Sequence, residues 1–253
     1  YFQIFNKKSS DFYHLKRLDP SYRVHFGMNN YVDLAASPEK LSHLFEQLEP
    51  GGSARLDAFL KDAKEKYQTA MTDYVFRPSH SMMEYCNAQL LIQSLKMDLL
   101  SSVGKHIRKY FREPRLLKVL EFPVLFLGGT PSNTPALYTL MNYADMSLGT
   151  WYPDKGMNEI VRGMESIALE QGVTFHCNTE VKRISSRDGS VTGVETDQGF
   201  FDASVVIANA DYQHTDQDLL QKEHRNYSAK YWESRTLSPS SLHFYIGVNK
   251  KLS

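Results

Sequence analysis

Cysteine is nearly absent: two residues in 253, Cys86 and Cys177, neither with a second Cys or His at metal-ligand spacing. This excludes a disulfide framework and a thiolate metal site, and it makes a reducing, cytoplasmic setting the simpler expectation. No run of about 18 uninterrupted apolar residues occurs, so no membrane-spanning helix is expected. Net charge is lacking as well. Lys+Arg and Asp+Glu stand at 29 each, a balance that argues neither for nor against nucleic acid, and no nucleic-acid partner is expected. Standalone catalytic signatures are missing: there is no Walker lysine loop, no G-x-S-x-G and no H-E-x-x-H. The nine histidines are dispersed, and His80, in a Ser-rich turn, reads as a surface residue. Gly128-Gly129 precedes Thr130-Pro131 instead of lying between a strand and a helix, so it lacks the context of a dinucleotide loop. Tyr1-Phe2-Gln3 has neither a Met nor a leader pattern, and Leu252-Ser253 follows a strand-like run directly, so both ends read as cut.

What is present suits a folded globular chain: 42% of residues are hydrophobic and 23% charged, enough for a sizeable core. Residues 1–12 read as the end of a helix. Strand-like pieces follow at Tyr13–Leu18, Tyr22–Phe26 and Tyr31–Leu34, with turns at Asp19-Pro20 and Asn29-Asn30. Ser37-Pro38 opens a helix that Pro50-Gly51-Gly52 stops. Leu56, Phe59, Leu60, Ala63, Tyr67, Ala70, Met71 and Tyr74 then form a stripe of helical period, which is core packing.

A third helix is expected over 84–111. At its end the basic residues Lys105, Arg108, Lys109, Arg112, Arg115 and Lys118 crowd together, and the apolar stretch Val119–Leu127 follows. Such a pairing suits an anionic bilayer surface, or else a solvated helix face followed by a buried segment. Thr134-Pro135 opens another helix to about Met146, and Gly149–Met157 reads as strand, turn and the start of a helix that Gln171-Gly172 ends. From Val173 the period changes to alternation. Val173, Phe175 and Cys177 alternate, and Val181–Ser186, Val191–Thr196 and Phe200–Ile207 form a meander turning at Asp188-Gly189 and Gln198-Gly199. A polar helical piece, Asp211–Lys222, and a strand-like run, Leu242–Val248, complete the chain.

Several fragments keep a familiar order and spacing. They are Leu18-Asp19-Pro20-Ser21-Tyr22-Arg23, Phe126-Leu127-Gly128-Gly129-Thr130-Pro131, Pro135–Leu140, Gly149-Thr150-Trp151-Tyr152-Pro153, Gly156–Arg162, Asn178–Val181, Ala208-Asn209-Ala210-Asp211 and Phe244–Lys251. Together they resemble the phytoene desaturase (phytoene dehydrogenase, CrtI-type) family of the FAD-dependent, amine-oxidase-like superfamily. The resemblance implies an enzyme that removes hydrogens from a long polyene and passes a hydride equivalent to FAD, the protein positioning an apolar substrate against the flavin.

It also implies an α/β (α+β) fold: a mixed or antiparallel substrate-domain sheet with a helical cap, plus a partial FAD-domain β-meander. Residues 1–36 would be substrate-domain strands, 37–146 the helical, membrane-facing cap, 147–212 part of the FAD domain, and 213–253 a return to the substrate domain. Carried over residue by residue, Val181 matches the position whose backbone meets the adenine end of FAD, and Ala208, Asn209 and Ala210 match a strand end closing over the cofactor. Asp211 caps the following helix on its residue type. Trp151 and Tyr152 belong either to the substrate pocket or to an aromatic core, and Lys105, Arg108, Lys109 and Arg112 would face the membrane. No catalytic acid or base and no metal ligand is assigned.

Two departures from the family pattern stand out. Its glycine-rich phosphate loop is not in these residues, so the piece alone is expected neither to retain FAD nor to be active, and to self-associate through uncovered apolar surface. A Gly-Gly pair before Met157 is replaced by Lys155-Gly156, and lysine does not take positive φ cheaply. The partners implied are an apolar polyene and a membrane surface, for a peripheral membrane protein. Alternatives that stay open are a related polyene or retinoid saturase or isomerase, and a non-catalytic lipid- or membrane-binding module.

Overall fold

In a computed structural model, residues 1–76, 101–236, 240 and 242–250 are described. They fall into two compact units, Tyr1–Ile167 and Ala168–Ser253. The fold is a mixed α/β one with small antiparallel sheets.

The first unit opens with two 3₁₀ turns, Phe2–Phe5 and Ser9–Asp11, not the expected helix end. Asn6 ends the first turn at φ 54°, and such a break every few residues leaves no room for an α-helical ladder. Three strands follow, β1 (Leu15–Arg17), β2 (Tyr22–Gly27) and β3 (Asn30–Leu34). The β2–β3 hairpin pairs Tyr22 with Leu34 and Val24 with Val32. Helix α1 (Pro38–Leu48) starts as expected, with the Ser37 hydroxyl accepting from the Lys40 N–H and Pro38 at the first position.

Helix α2 (Gly52–Thr69) continues through a π-type turn, Ala70–Tyr74. Leu56, Phe59, Ala63 and Ala70 of its stripe are buried, and Lys66 lies on the same face at 3% exposure. Helices α3 (Val103–Ile107) and α4 (Pro114–Glu121) and a 3₁₀ turn, Phe122–Leu127, come next among the described residues. Most of the helix expected over 84–111 lies outside the described residues. Within them it is not continuous, because Ser102 is extended (ψ 155°) and bridges Pro135 before α3 begins.

The core joins β3, α1 and α2 to the segment 103–124. Phe45, Phe59, Ile107, Phe111, Leu116, Val119 and Leu120 have no exposure, and Phe45 and Phe111 meet edge-to-face at 5.4 Å. The helical stretch expected from Thr134-Pro135 is one path in three windings: 3₁₀ Ala136–Thr139, helix α5 (Leu140–Tyr143) and a π-type turn Ala144–Leu148. Strand β4 (Trp151–Pro153) then pairs back to β1, Lys16 facing Tyr152. Helix α6 (Asn158–Glu170) follows, and the division between the units falls in its last turn.

The second unit is built on β5 (Val181–Arg187), β6 (Ser190–Thr196) and β7 (Gly199–Asp202), an antiparallel meander in that order. Asp188 and Gly189, at φ 51° and 77°, make the tight turn between β5 and β6 that their residue types call for. Asp211 caps α7 (Tyr212–His214), accepting from the His214 N–H at 2.9 Å. A π-type turn to Leu219 follows, and Leu220 bridges Ile184 in parallel. A short helix α8 (Ala229–Glu233) comes last.

Three strand-like runs carry no strand. Val173–Cys177, the part of Phe200–Ile207 beyond Asp202, and Leu242–Val248 have no regular structure. Their alternating side chains are exposed, Val205 at 73%, Ile207 at 90% and Phe244 at 75%. Alternation expresses only a preference for a half-buried pleat, and a strand also needs a neighbour for its N–H and C=O groups.

Candidate functional site

In the first unit, β2, the 3₁₀ turn 122–127, the helical path 136–148 and the residue before β4 enclose a cleft of about 380 Å³. Ser21, Tyr22, Phe122, Pro123, Phe126, Met141, Asp145 and Thr150 line it. The β1–β4 ladder, extended by the Leu18 N–H bond to Thr150 O at 2.9 Å, sets Thr150 at one wall. The β2–β3 register and the Ser21 N–H bond to Leu34 O at 2.7 Å set Tyr22 at another.

Tyr22 stacks obliquely on Phe122 at 5.3 Å, and Phe122 meets Phe126 edge-on at 5.4 Å. The cleft is therefore mostly apolar, with one polar end. There the Thr150 hydroxyl donates to Asp145 Oδ1 at 2.6 Å, and the buried Tyr22 hydroxyl faces the same carboxylate. Burial first, then the charge of Asp145 and a hydrogen bond to it, push the Tyr22 phenol well above its usual range, so it remains a donor. Beside Phe126 the surface is apolar: Leu125, Phe126 and Leu127 are 63%, 73% and 40% exposed.

Sequence reasoning missed Tyr22, Asp145 and Thr150 as a group. One signal was available, since Asp145 is the only charged residue from Thr134 to Pro153. Trp151 and Tyr152, one and two residues past Thr150, are 49% and 44% exposed and are not among the residues lining the cleft.

The basic cluster is not uniformly outward. Arg108 donates to the buried Glu121 at 2.6 Å and to Gly104 O at 2.8 Å, with Lys118 3.6 Å from the same Glu121. Arg115 pairs with Glu113 at 2.5 Å. Lys105, Lys109 and Arg112 have exposed side chains. The apolar stretch after them divides likewise: Val119, Leu120 and Val124 belong to the core, and only Leu125–Leu127 reaches the surface.

Val181 lies in the second unit, at the start of β5, opposite Thr196 and 36% exposed. Ala208, Asn209 and Ala210 are exposed and carry no strand, unlike the strand end that the resemblance implies. At the turn where lysine replaces glycine the backbone adapts: Gly156 alone takes the positive φ, +99°, and Lys155 does not. A bound dinucleotide needs a place for its pyrophosphate. Two helix starts that could offer one already hold carboxylates of the chain. Glu46 accepts from Gly51 N–H at 2.8 Å and Ser53 N–H at 3.1 Å before α2, and these bonds hold it below the usual carboxylate range. Glu49 accepts from Arg112 and Glu113 N–H, both at 2.9 Å, before α4. Among the described residues no glycine-rich strand-to-helix turn suits the phosphates of a flavin dinucleotide.

Residues 4–230 match the model of the flavin containing amine oxidoreductase family. The chain belongs to that family. Among its relatives, a carotenoid 3,4-desaturase of Haloarcula japonica is 33% identical over 250 residues, which cover 98% of this chain and 50% of that protein. A zeta-carotene-forming phytoene desaturase of Myxococcus xanthus is 28% identical over 251 residues, covering 99% of this chain and 48% of the relative. A neurosporene-forming phytoene desaturase of Cereibacter sphaeroides is 29% identical over 236 residues, covering 92% and 45%. The chain spans about half the length of the curated relatives it matches.

Proposed function

We propose that the protein containing this chain is a flavin-dependent desaturase of a carotenoid precursor. The observation that carries this is the match to carotenoid and phytoene desaturases along 98% of the chain, and the apolar cleft between β2 and the helical path supports it. Desaturation takes two hydrogens from neighbouring carbons, and a bound flavin supplies the acceptor for the hydride equivalent.

The chain's own residues bind and shield. Phe122, Phe126 and Met141 hold hydrocarbon and exclude water, and Trp151 and Tyr152, which follow Thr150 in the chain, add exposed aromatic surface outside the cleft lining. Val181 serves the adenine end of the flavin and Ala208-Asn209-Ala210 close over the cofactor, within a partial flavin domain at 147–212 next in sequence to a substrate domain with a helical cap. Among the described residues no helix is long and apolar enough to cross a membrane. An apolar substrate is nevertheless reached from a bilayer. Lys105, Arg108, Lys109 and Arg112 with the exposed Leu125–Leu127 form the face that would seat the protein peripherally on anionic lipid.

The test is turnover by the full-length, flavin-loaded protein of phytoene presented in vesicles. Extension of the conjugated chain moves the absorbance to longer wavelength. An unchanged spectrum overturns the reading. A move to shorter wavelength with a more extended polyene substrate identifies a saturase instead.

A further inference from the structure

In the second unit the π-type turn after α7 carries Asp216, which has no exposure. No cation pairs with it among the described residues. Its oxygens accept from neutral donors instead: the Asn226 N–H at 2.9 Å, the Gln217 amide at 2.7 Å and the Trp232 indole N–H at 3.1 Å. A buried charge without a counter-charge is costly, and neutral donors offset that cost only in part. Ring packing alone does not call for such a carboxylate, because a neutral oxygen satisfies an indole N–H as well.

Around that indole, in α8, the rings are continuous. Trp232 meets Tyr212, Tyr227 and Tyr231 edge-on at 5.4, 5.5 and 5.3 Å, and Tyr227 stacks on Tyr231 at 4.3 Å. Tyr212 is 56% exposed, so the cluster runs from a buried carboxylate to solvent.

We infer that Trp232 and these tyrosines form a relay that carries an oxidising equivalent from the indole to solvent at Tyr212, with Asp216 as the counter-ion of the oxidised indole. The oxidant is of the peroxyl-radical class, which forms where unsaturated hydrocarbon meets oxygen. The relay is a protective function separate from desaturation.

Each step balances. The peroxyl radical takes one electron from Trp232 and a proton from water, and becomes a hydroperoxide. The indole radical cation keeps its N–H, still bonded to Asp216, so the buried negative charge gains the positive partner it lacked. Attraction between charges this close is strong where water is excluded, and it makes the indole easier to oxidise. Tyr212 then gives an electron to the indole and its hydroxyl proton to water, leaving a neutral phenoxyl radical. This direction is downhill at neutral pH, because the phenol sheds its proton with the electron and no charge stays behind. A small reductant of the ascorbate class returns a hydrogen atom to Tyr212. The net change is one hydrogen atom passed from reductant to peroxyl radical.

The experiment uses the full-length, flavin-loaded protein, with a ruthenium(III) polypyridyl complex generated by a laser flash as the one-electron oxidant. Transient absorbance should show an indole radical that decays as a phenoxyl radical rises. Trp232→Phe should lose most of that delayed phenoxyl signal, and in Tyr212→Phe the indole signal should outlive the parent's. Asp216→Asn, which keeps the side chain's shape but removes its charge, should weaken the indole signal. An undiminished phenoxyl signal in Trp232→Phe, or an unaltered indole lifetime in Tyr212→Phe, overturns the relay. An undiminished indole signal in Asp216→Asn overturns the role of the carboxylate. Tyr212 is exposed, so its variant keeps the test decisive should Trp232→Phe not fold. Protection is read separately, by exposing parent and Tyr212→Phe to thermally generated peroxyl radicals with ascorbate present. The folded fraction, followed by circular dichroism, should fall faster in the variant, and equal loss overturns the protective function.

Discussion

Removing the Asp62 carboxylate should destabilise the first unit by about 2 kcal/mol. Asp62 Oδ2 lies 2.7 Å from Lys66 Nζ and 2.9 Å from His106 Nε2, and the side chains of Lys66 and His106 are each 3% exposed. Burial pushes the Asp62 carboxyl upward, and the hydrogen bonds from His106 and Lys66, with their charges, outweigh it, so the group moves from its ordinary 3.8 to about 2. If the site were fully buried that change would be worth roughly 2.5 kcal/mol. With 30% of the Asp62 side chain exposed, screening reduces it to about 1.5–2 kcal/mol. Taking the carboxylate from between two buried basic groups adds to the loss.

Asp62→Asn should therefore lower the melting temperature at pH 7 by about 4–8 °C, on the scale expected for a unit of this size. The sign with pH is fixed by the downward direction. The stabilisation is complete above the unfolded carboxyl pKa and is lost as pH falls through the folded value, so the gap between parent and variant should hold from pH 7 to 5. It should shrink to about half near pH 3. The assay is thermal unfolding followed by far-UV circular dichroism from pH 7 to 3. A variant melting within a degree of the parent at pH 7, or a gap that widens on acidification, would refute the reasoning.

Three further outcomes are expected. Replacing Lys105, Lys109 and Arg112 together by Glu should release the protein from anionic vesicles, at about 1 kcal/mol per charge removed from the surface. Arg108 is left in place because it pairs with the buried Glu121, and equal co-sedimentation of variant and parent would remove the membrane face. Gly156→Ala should destabilise by about 1 kcal/mol or more, since alanine is strained at φ +99°, while Lys155→Gly should bring no gain in melting temperature. A stabilised Lys155→Gly would mean that the turn needs a second glycine after all.

Much of the local structure was legible in the order of residues, because local forces decide it. Ser37-Pro38 had to begin a helix, Pro50-Gly51-Gly52 had to end it, and Asp188-Gly189 had to turn a hairpin, since capping, fixed φ and positive φ are properties of the residues themselves. The stripe through Leu56, Phe59 and Ala63 announced a buried face. Family membership was legible too, spread over fragments none of which was decisive alone.

Long-range pairing was not legible. The alternation in Val173–Cys177, Val205–Ile207 and Leu242–Val248 states a preference, but whether a strand forms depends on a neighbouring backbone, and none pairs with them among the described residues. The charges show the same limit. Arg108 read as one more surface cation until the fold brought Glu121, thirteen residues on, against it. Asp62 found His106 across 44 residues, and Glu49 capped a helix that starts 65 residues later. Tyr22 and Asp145 carry no mark of each other in the sequence. Only packing of the β2–β3 hairpin near the helical path put a buried donor beside a carboxylate at the end of an apolar cleft, because contacts between distant segments are set by how whole faces fit, not by residue spacing.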